Sequence, residues 1–269
     1  MSANESLLLP SRSRGWRMGL GNMLHKELSA WYRTRRWWIQ GLIALLLLNV
    51  TMALNLKDGG RVDNAGMNFL VMAALCVPFA AISLAQDSIL GERHSGTAAW
   101  VLSKPLRRPA FILAKLIAHG LGLLLAWVVL PGAVAYFQLV AAGKGQLPLS
   151  GSGWAAALAL YYLNLLFYLT LALMLATLFN GRGPVLGITL LVAWAGPMRF
   201  IAQPLQEYVP WLEEILPWRL LVDFEHFQPL AGYVALGQPL PTVIPIVAAA
   251  LWCMLFTGVA IWRFRSEEF

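Results

Sequence analysis

Charged residues are scarce in this chain. Asp, Glu, Lys and Arg together make up 12% of its 269 residues, whereas hydrophobic residues make up 59%. The mean hydropathy is +0.64, and an average soluble domain holds about 25% charged and 45–50% apolar residues. These proportions exclude an ordinary soluble domain and indicate an integral membrane protein.

Cysteine is equally rare, and the common signatures of enzymes are missing. Cys76 and Cys253 both fall within apolar runs, without the spacing of a disulfide framework or a zinc site. There is no HExxH motif, and the four histidines are scattered along the chain. We therefore expect no metal site and no catalytic residues, although a membrane-embedded enzyme remains an alternative.

Two further absences concern the use of ATP and of ion gradients. The chain has no GxxxxGK(S/T) phosphate-binding loop, so ATP hydrolysis would require another polypeptide. No Asp or Glu lies in the core of an apolar run. Because ion-coupled secondary transporters usually carry such residues within the membrane, this absence argues against that class, which we keep as a second alternative.

Apolar runs long enough to cross about 30 Å of hydrocarbon, which takes about 20 helical residues, occur six times. The predicted spans are residues 37–56, 65–86, 111–142, 154–179, 183–202 and 241–262. Because lipid cannot satisfy the backbone of open strands, we predict an all-α protein with six transmembrane helices. Residues 1–36 and 263–269 flank this transmembrane domain.

Lysine and arginine give the orientation, since they favour the cytoplasmic side. A cytoplasmic amino terminus places fifteen of the twenty on that side, and both termini are then cytoplasmic. The net charge of +7 is thus a topology signal and does not predict nucleic-acid binding. We expect a multi-pass protein of the inner (plasma) membrane.

The segment before the first span has the pattern of an amphipathic helix at the membrane interface. Leu20, Leu24, Leu28 and Trp31 recur at helical spacing, and polar side chains occupy the opposite side. The predicted contacts with headgroups of membrane lipids are Trp31, Arg33, Arg35 and Arg36.

The connection between the second and third spans is charged and interrupted by glycine and proline. Glu92 and Arg93 end the second helix beyond the bilayer, and Gly96 permits a sharp turn. Ser95 or Thr97 can cap a short helix that follows. Its apolar ridge, Trp100, Val101 and Leu102, suits a groove on another protein.

The connection between the fifth and sixth spans also predicts short helices, here at the outer interface. At helical spacing, Trp211, Leu212, Ile215 and Leu216 form an apolar face beside Glu213 and Glu214. Trp211, Glu213 and Glu214 are candidates for an outer gate.

Several of these residues, in this order, carry a resemblance to a known family. They are Lys26, Glu27 and Leu28, then Glu92 and Arg93, Gly96 and Thr97, residues 102–105, Arg107 and Arg108, and Ala114 and Lys115. The pattern resembles that of type-2 ABC transporter permeases over the whole chain. The resemblance implies that the amino-terminal helix is a connecting helix, and that residues 96–103 form a coupling helix. In that case Glu92, Arg93, Gly96, Thr97, Trp100, Val101 and Leu102 would contact a nucleotide-binding subunit.

The resemblance also implies the partners and the function. ATP and Mg²⁺ are expected in the separate ATPase subunit, and no cofactor in this chain. A second permease, identical or related, would complete the transporter. We expect a permease subunit that moves a substrate, and export is the direction that the resemblance favours.

Overall fold

The all-α class is confirmed for the part of the chain that the structure describes. A computed structural model describes residues 15–96, 106–144, 149–195, 211–222 and 229–266. Within these ranges the regular elements are helices and no strand occurs. Four of the predicted coupling residues lie outside the described residues, namely Thr97, Trp100, Val101 and Leu102. The side chain of Glu213, a predicted gate residue, also lies outside them.

Ten helices, numbered in chain order, organise the described residues. They are α1 Leu20–Arg33, α2 Arg36–Lys57, α3 Val62–His94, α4 Arg108–Ala142, α5 Gly151–Leu178, α6 Arg182–Ala195, α7 Leu212–Ile215, α8 Trp218–Leu221, α9 Leu230–Ala235 and α10 Ile244–Arg265. Within α2 the residues Leu45–Val50, and within α4 the residues Leu124–Val129, widen to π-helical turns.

Five of these helices, α2, α3, α4, α5 and α10, are long and apolar enough to cross a bilayer. Helix α3 continues to His94, eight residues past the predicted span end at Gln86. At about 1.5 Å per residue, this extension carries it about 12 Å further. The charged residues Asp87, Glu92 and Arg93 lie on this extension.

The six-span prediction is not confirmed. Helix α6, which falls in the predicted fifth span 183–202, is described only as Arg182–Ala195, a length of 14 residues. Fourteen residues extend about 21 Å, less than the hydrocarbon thickness of about 30 Å. The remainder of that predicted span lies outside the described residues.

Helix α5 is the centre of the bundle and packs against both α3 and α10. Tyr161 and Tyr168 of α5 are among the largest fully buried side chains. The ring of Phe69, from α3, lies 5.5 Å from the ring of Trp154 and 6.4 Å from that of Tyr161. Aromatic pairs at these separations add to the dispersion contacts that hold helices together in lipid.

Helices α2 and α10 are peripheral. In α2 only 28% of the 18-residue apolar stretch is buried inside the chain, and in α10 only 22%, whereas the value for α5 is 61%. The outward side chains are large and apolar, as in Leu46, Leu54, Leu251 and Met254. Lipid or another protein must therefore cover these two faces.

The first turn of α5 approaches α9 so closely that it has no room for a side chain. A Cβ atom on Gly153 would lie 2.7 Å from the carbonyl oxygens of both Val234 and Ala235. Ser150 caps the same turn by accepting a hydrogen bond from the Gly153 amide at 2.9 Å. The next residue, Trp154, donates its indole hydrogen to the carbonyl of Gly132, also at 2.9 Å.

We expect Gly153→Ala to lower the stability of the protein. The added methyl group meets backbone atoms, which cannot move aside as a side chain can, and overpacking of this kind costs about 1–3 kcal/mol. The matched control is Gly187→Ala in α6, where no heavy atom lies within 4 Å of the new Cβ. Thermal unfolding in detergent is the measurement, and equal midpoints for the two variants would contradict the close approach.

Candidate functional site

A buried ionic cluster joins the amino-terminal helix to the two helices that border the charged connection. The side chain of Lys115, on α4, is 1% exposed. Its Nζ lies 3.2 Å from Glu27 Oε1 of α1 and 3.1 Å from Glu92 Oε1 of α3. Lys26 Nζ lies 3.1 Å from the same Glu92 oxygen. Three elements far apart in sequence thus meet at one set of charges.

The cluster is balanced in charge, with two lysines and two glutamates. Removing an ion from water costs several kcal/mol, which is recovered only when opposite charges stand at close range. Lys115 has two carboxylates at that range, and its Nζ also lies 4.8 Å from the centre of the Phe111 ring. The position of each helix in the cluster is therefore restricted by the charges on the other two.

Arg93, the neighbour of Glu92, extends to a different helix. Its guanidinium donates to the carbonyl oxygens of Ala176, at 2.9 Å, and Thr177, at 3.1 Å. These carbonyls belong to the last turn of α5, where no helical partner remains and the helix dipole attracts a cation. The end of α3 is thus held between α1 and α4 on one side and α5 on the other.

A second contact attaches α1 to α4. The indole of Trp31 donates to His119 Nδ1 at 3.2 Å, and both side chains are buried. The indole packs against Gly122, where a Cβ atom would lie within 2.3 Å of the ring. Met23, Glu27 and Trp31, four residues apart, form the buried stripe of α1.

Trp31 consequently differs from its predicted role. The sequence places it at headgroup depth with Arg33, Arg35 and Arg36, but it is 4% exposed and contacts α4. The three arginines are exposed, and their contact with lipid stays a prediction. The helical spacing of Leu20, Leu24 and Leu28 does not predict this burial. The side of α1 that is buried carries Met23, Glu27 and Trp31, and a charged residue such as Glu27 is not expected on a buried side.

Of the predicted coupling residues, the structure describes Glu92, Arg93 and Gly96. Gly96 follows α3 with a φ of 69°, in the left-handed region that favours glycine. This is the sharp turn that the sequence predicts at the start of the charged connection. The sequence interpretation missed Lys115 and Glu27 as cluster members. One signal was available, since Lys115 precedes His119 by one helical turn within an apolar helix.

Helices α7 and α8 are attached to α5, α6 and α10 by hydrogen bonds from side chains to backbone carbonyls. Trp252 of α10 donates to the carbonyl of Ile215 at 2.9 Å, and Asn164 of α5 to that of Pro217 at 3.2 Å. Trp218 of α8 donates to the carbonyl of Val192 in α6 at 2.7 Å. Of the predicted gate residues, Trp211 is exposed and Glu214 is paired with Arg219.

A cavity of about 550 Å³ opens between α2, α3, α4 and α6. Its polar lining comes from Gln40, Ser83 and Gln86, and none of its lining residues is charged. Trp127 donates to Gln40 Oε1 at 2.8 Å, and Gln86 donates to the carbonyl of Arg182 at 3.1 Å. No group of three metal-ligating side chains occurs in the described residues.

Comparison with known proteins agrees with this architecture. The profile of a family described as "ABC-2 family transporter protein" matches residues 22–269. The chain is 27% identical, over 264 residues, to "Probable ABC transporter permease protein NosY" of Stutzerimonas stutzeri, covering 89% of this chain and 93% of that one. A protein of the same name from Pseudomonas aeruginosa is 28% identical over 202 residues, covering 71% and 72%.

We expect Lys115→Met to destabilise the protein by about 3–5 kcal/mol, because it removes the buried cation between Glu27 and Glu92 and leaves them only the half-exposed Lys26. The matched control is Lys57→Met, which removes an exposed lysine at the end of α2. Adding Glu27→Gln and Glu92→Gln to the Lys115→Met variant should recover part of the loss, because the carboxylates are then neutral and the one charge left, Lys26, is half-exposed to solvent. Thermal unfolding of these three variants and of the wild type is the measurement. Equal stability of Lys115→Met and Lys57→Met would contradict the assignment.

Proposed function

The chain belongs to the ABC-2 family of transporter proteins, and we propose that it is the permease subunit of an ABC exporter driven by a separate ATPase. The two relatives named as probable ABC transporter permeases support this assignment. ATP and Mg²⁺ would bind the ATPase subunit, since this sequence has no phosphate-binding loop. The chain itself would supply the membrane pathway and the surface on which the ATPase docks.

The observation that carries the proposal is that the end of α3, where the charged connection begins, is bonded to three other helices. Glu92 is held by Lys115 and Lys26, and Arg93 by the end of α5. A force applied by a partner to residues 96–103 would therefore reach α1, α4 and α5 together. A freely hinged loop would absorb such a force within itself.

The proposed mechanism is a rigid-body shift between two discrete states. Closure of the ATPase pair on nucleotide would press on the coupling segment, and α1, α3, α4 and α5 would move as one unit. ATP binding would favour the state in which that contact is made, by the difference in its affinity for the two states. Access to the pathway would change as the two permease subunits move relative to each other.

A second permease, identical or related, would complete the assembly. The exposed apolar faces of α2 and α10 support this, because each buries little of its surface within the chain. One of these faces would form the contact between the two permeases, and the other would face lipid. The coupling segments of both subunits would then lie on the same side of the membrane.

The cargo we propose is amphiphilic or hydrophobic. The cavity between α2, α3, α4 and α6 supports this, because amides and a hydroxyl supply its polar lining and none of its lining residues is charged. A strongly charged substrate would need opposite charges to replace its hydration shell.

We propose that the protein lies in the inner (plasma) membrane with both termini in the cytoplasm. The excess of Lys and Arg on the amino-terminal side of the spans supports this orientation. The ionic cluster, Arg93 and the charged connection would then face the compartment that holds ATP.

For the outer helices we propose a gate that moves with the spans. The hydrogen bonds from Trp252 and Asn164 attach α7 and α8 to α10 and α5, so the gate would open when the bundles separate. Glu213 and Glu214 would line its outer edge.

Substitutions at the coupling segment test the docking role. We expect Gly96→Val and Trp100→Glu to prevent copurification of the ATPase subunit, or to reduce its response to the permease by about fivefold or more, within the usual range of coupling free energies. Membrane insertion should be unchanged. The control is Gly91→Ala, within α3, where no heavy atom lies within 4 Å of the new Cβ. Normal ATPase recruitment and coupling in both coupling variants would refute the proposal.

The gate is tested by replacing Glu213 and Glu214 together with Ala. We expect ATP-driven uptake of a fluorescent amphiphile into inside-out vesicles to fall about fivefold, while ATP hydrolysis persists. Asp58→Ala, at the exposed turn after α2, is the matched loss of an outer carboxylate. Unchanged uptake in the Glu213/Glu214 variant would assign the outer helices a purely structural role.

A further inference from the structure

A basic cavity lies where α4 begins and α10 ends. It measures about 480 Å³, and three of its lining residues are arginines, Arg107, Arg108 and Arg265. Trp16 lines the same cavity, with the Arg17 guanidinium 4.9 Å from the centre of its ring. Both helices are membrane-spanning candidates whose ends meet here, so the cavity lies at the depth of the lipid headgroups.

The arginines of this cavity have no carboxylate partner among the described residues. The ion pairs in that part of the chain involve Lys26, Arg61, Lys115, Arg182 and Arg219. Arg108 donates to the backbone carbonyl of Arg265, which ties the two helix ends together and leaves the Arg108 charge without a carboxylate partner in the part of the chain that the structure describes. The amino-terminal end of α4 lies at the same place, and the helix dipole is positive there. An anion therefore complements this cavity.

An apolar groove of about 590 Å³ lies further along the same two helices, and α5 lines it as well. On α4 it is lined by Leu116 and Gly120, and Pro109 of the basic cavity belongs to the same stripe at spacings of seven and four residues. On α10 the stripe runs through Met254, Gly258, Ile261 and Arg265, at spacings of four, three and four. The cavity and the groove therefore open on one face of the α4–α10 seam.

The depth of the groove matches one leaflet of a bilayer. At about 1.5 Å per residue, Ile261 lies about 6 Å and Met254 about 16 Å from Arg265 along the helix. Half of the hydrocarbon core is about 15 Å thick. Tyr162, Leu166 and Thr170 of α5 line the groove on the side of the core. Near the arginine end of the seam, Phe111 stacks on Phe264 with ring centres 5.0 Å apart.

We propose that this seam is a binding site for an anionic phospholipid. The phosphate would lie between Arg107, Arg108 and Arg265, and one acyl chain would lie along the groove past Gly120 and Gly258. The bound molecule would hold the start of α4, just after the charged connection, against the end of α10. The inference depends on the chain being embedded in a membrane, and stands independently of its cargo or its ATPase.

Native mass spectrometry of the full-length chain in detergent, with added phosphatidylglycerol, is the test. We expect Arg107→Gln and Arg265→Gln each to weaken lipid binding about fivefold, because a basic residue near an anionic headgroup contributes about that factor. Arg182→Gln, which removes an exposed arginine outside the seam, should leave binding unchanged. Phosphatidylcholine should bind more weakly than phosphatidylglycerol.

The acyl chain is tested separately by Gly258→Leu. No heavy atom lies within 4 Å of a Cβ at Gly258, so leucine should be tolerated and should fill the groove. Binding should fall about fivefold or more, whereas Gly187→Leu, at a similarly open position in α6, should have no effect. Glycerol phosphate, which carries the same anion without chains, should compete poorly.

Three results would overturn the proposal. Equal lipid binding by all variants would mean that the seam does not bind the phospholipid. Loss of binding in the arginine variants alone, with efficient competition by glycerol phosphate, would leave a site for soluble phosphates. A changed oligomeric state of Gly258→Leu with unchanged lipid binding would assign the groove to a helix of a second copy.

Discussion

The arrangement of the helices near the charged connection depends on the burial of one ammonium group. Lys115 lies inside the bundle at 1% exposure, where an isolated cation would be several kcal/mol less stable than in water. It is tolerated because α1 supplies Glu27 and α3 supplies Glu92 at hydrogen-bonding distance. The two carboxylates need this cation in turn, since Glu27 is buried and Glu92 partly buried beside it. The ends of three helices are thus fixed relative to one another by charge.

This constraint connects the membrane part of the chain with its charged connection. Glu92 and Arg93 are adjacent, yet they bind to opposite neighbours, one to α1 and α4 and the other to the final carbonyls of α5. Helix α5 is the buried centre of the bundle. A displacement at the end of α3 is therefore opposed by bonds on both sides and is transmitted into the core. A bundle joined only by apolar packing would allow α3 to slide more freely, because lipid provides no hydrophobic force between helices.

The sequence predicts those features that depend on composition and spacing, and misses those that depend on which helices are neighbours. Long uncharged runs identify α2, α3, α4, α5 and α10, because hydrocarbon thickness sets their length. The turn at Gly96 follows from the permissive backbone of glycine. The role of Lys115 does not follow, since a lysine near the end of a span also fits the positive-inside rule. Only the packing of α1 on α4 distinguishes a buried cation from a solvated one.

The α4–α10 seam extends the same reasoning to the membrane itself. Lys115 and Arg108 lie two turns apart on α4, and both are cations near the membrane boundary. The first faces the interior of the bundle, where glutamates compensate it, whereas Arg108 faces a cavity with no such partner in the described part of the chain. Charge at the second position must be balanced from outside those residues, and the anion most abundant at that depth is the phosphate of a lipid. The apolar groove beneath it provides room for the chain that any such phosphate carries.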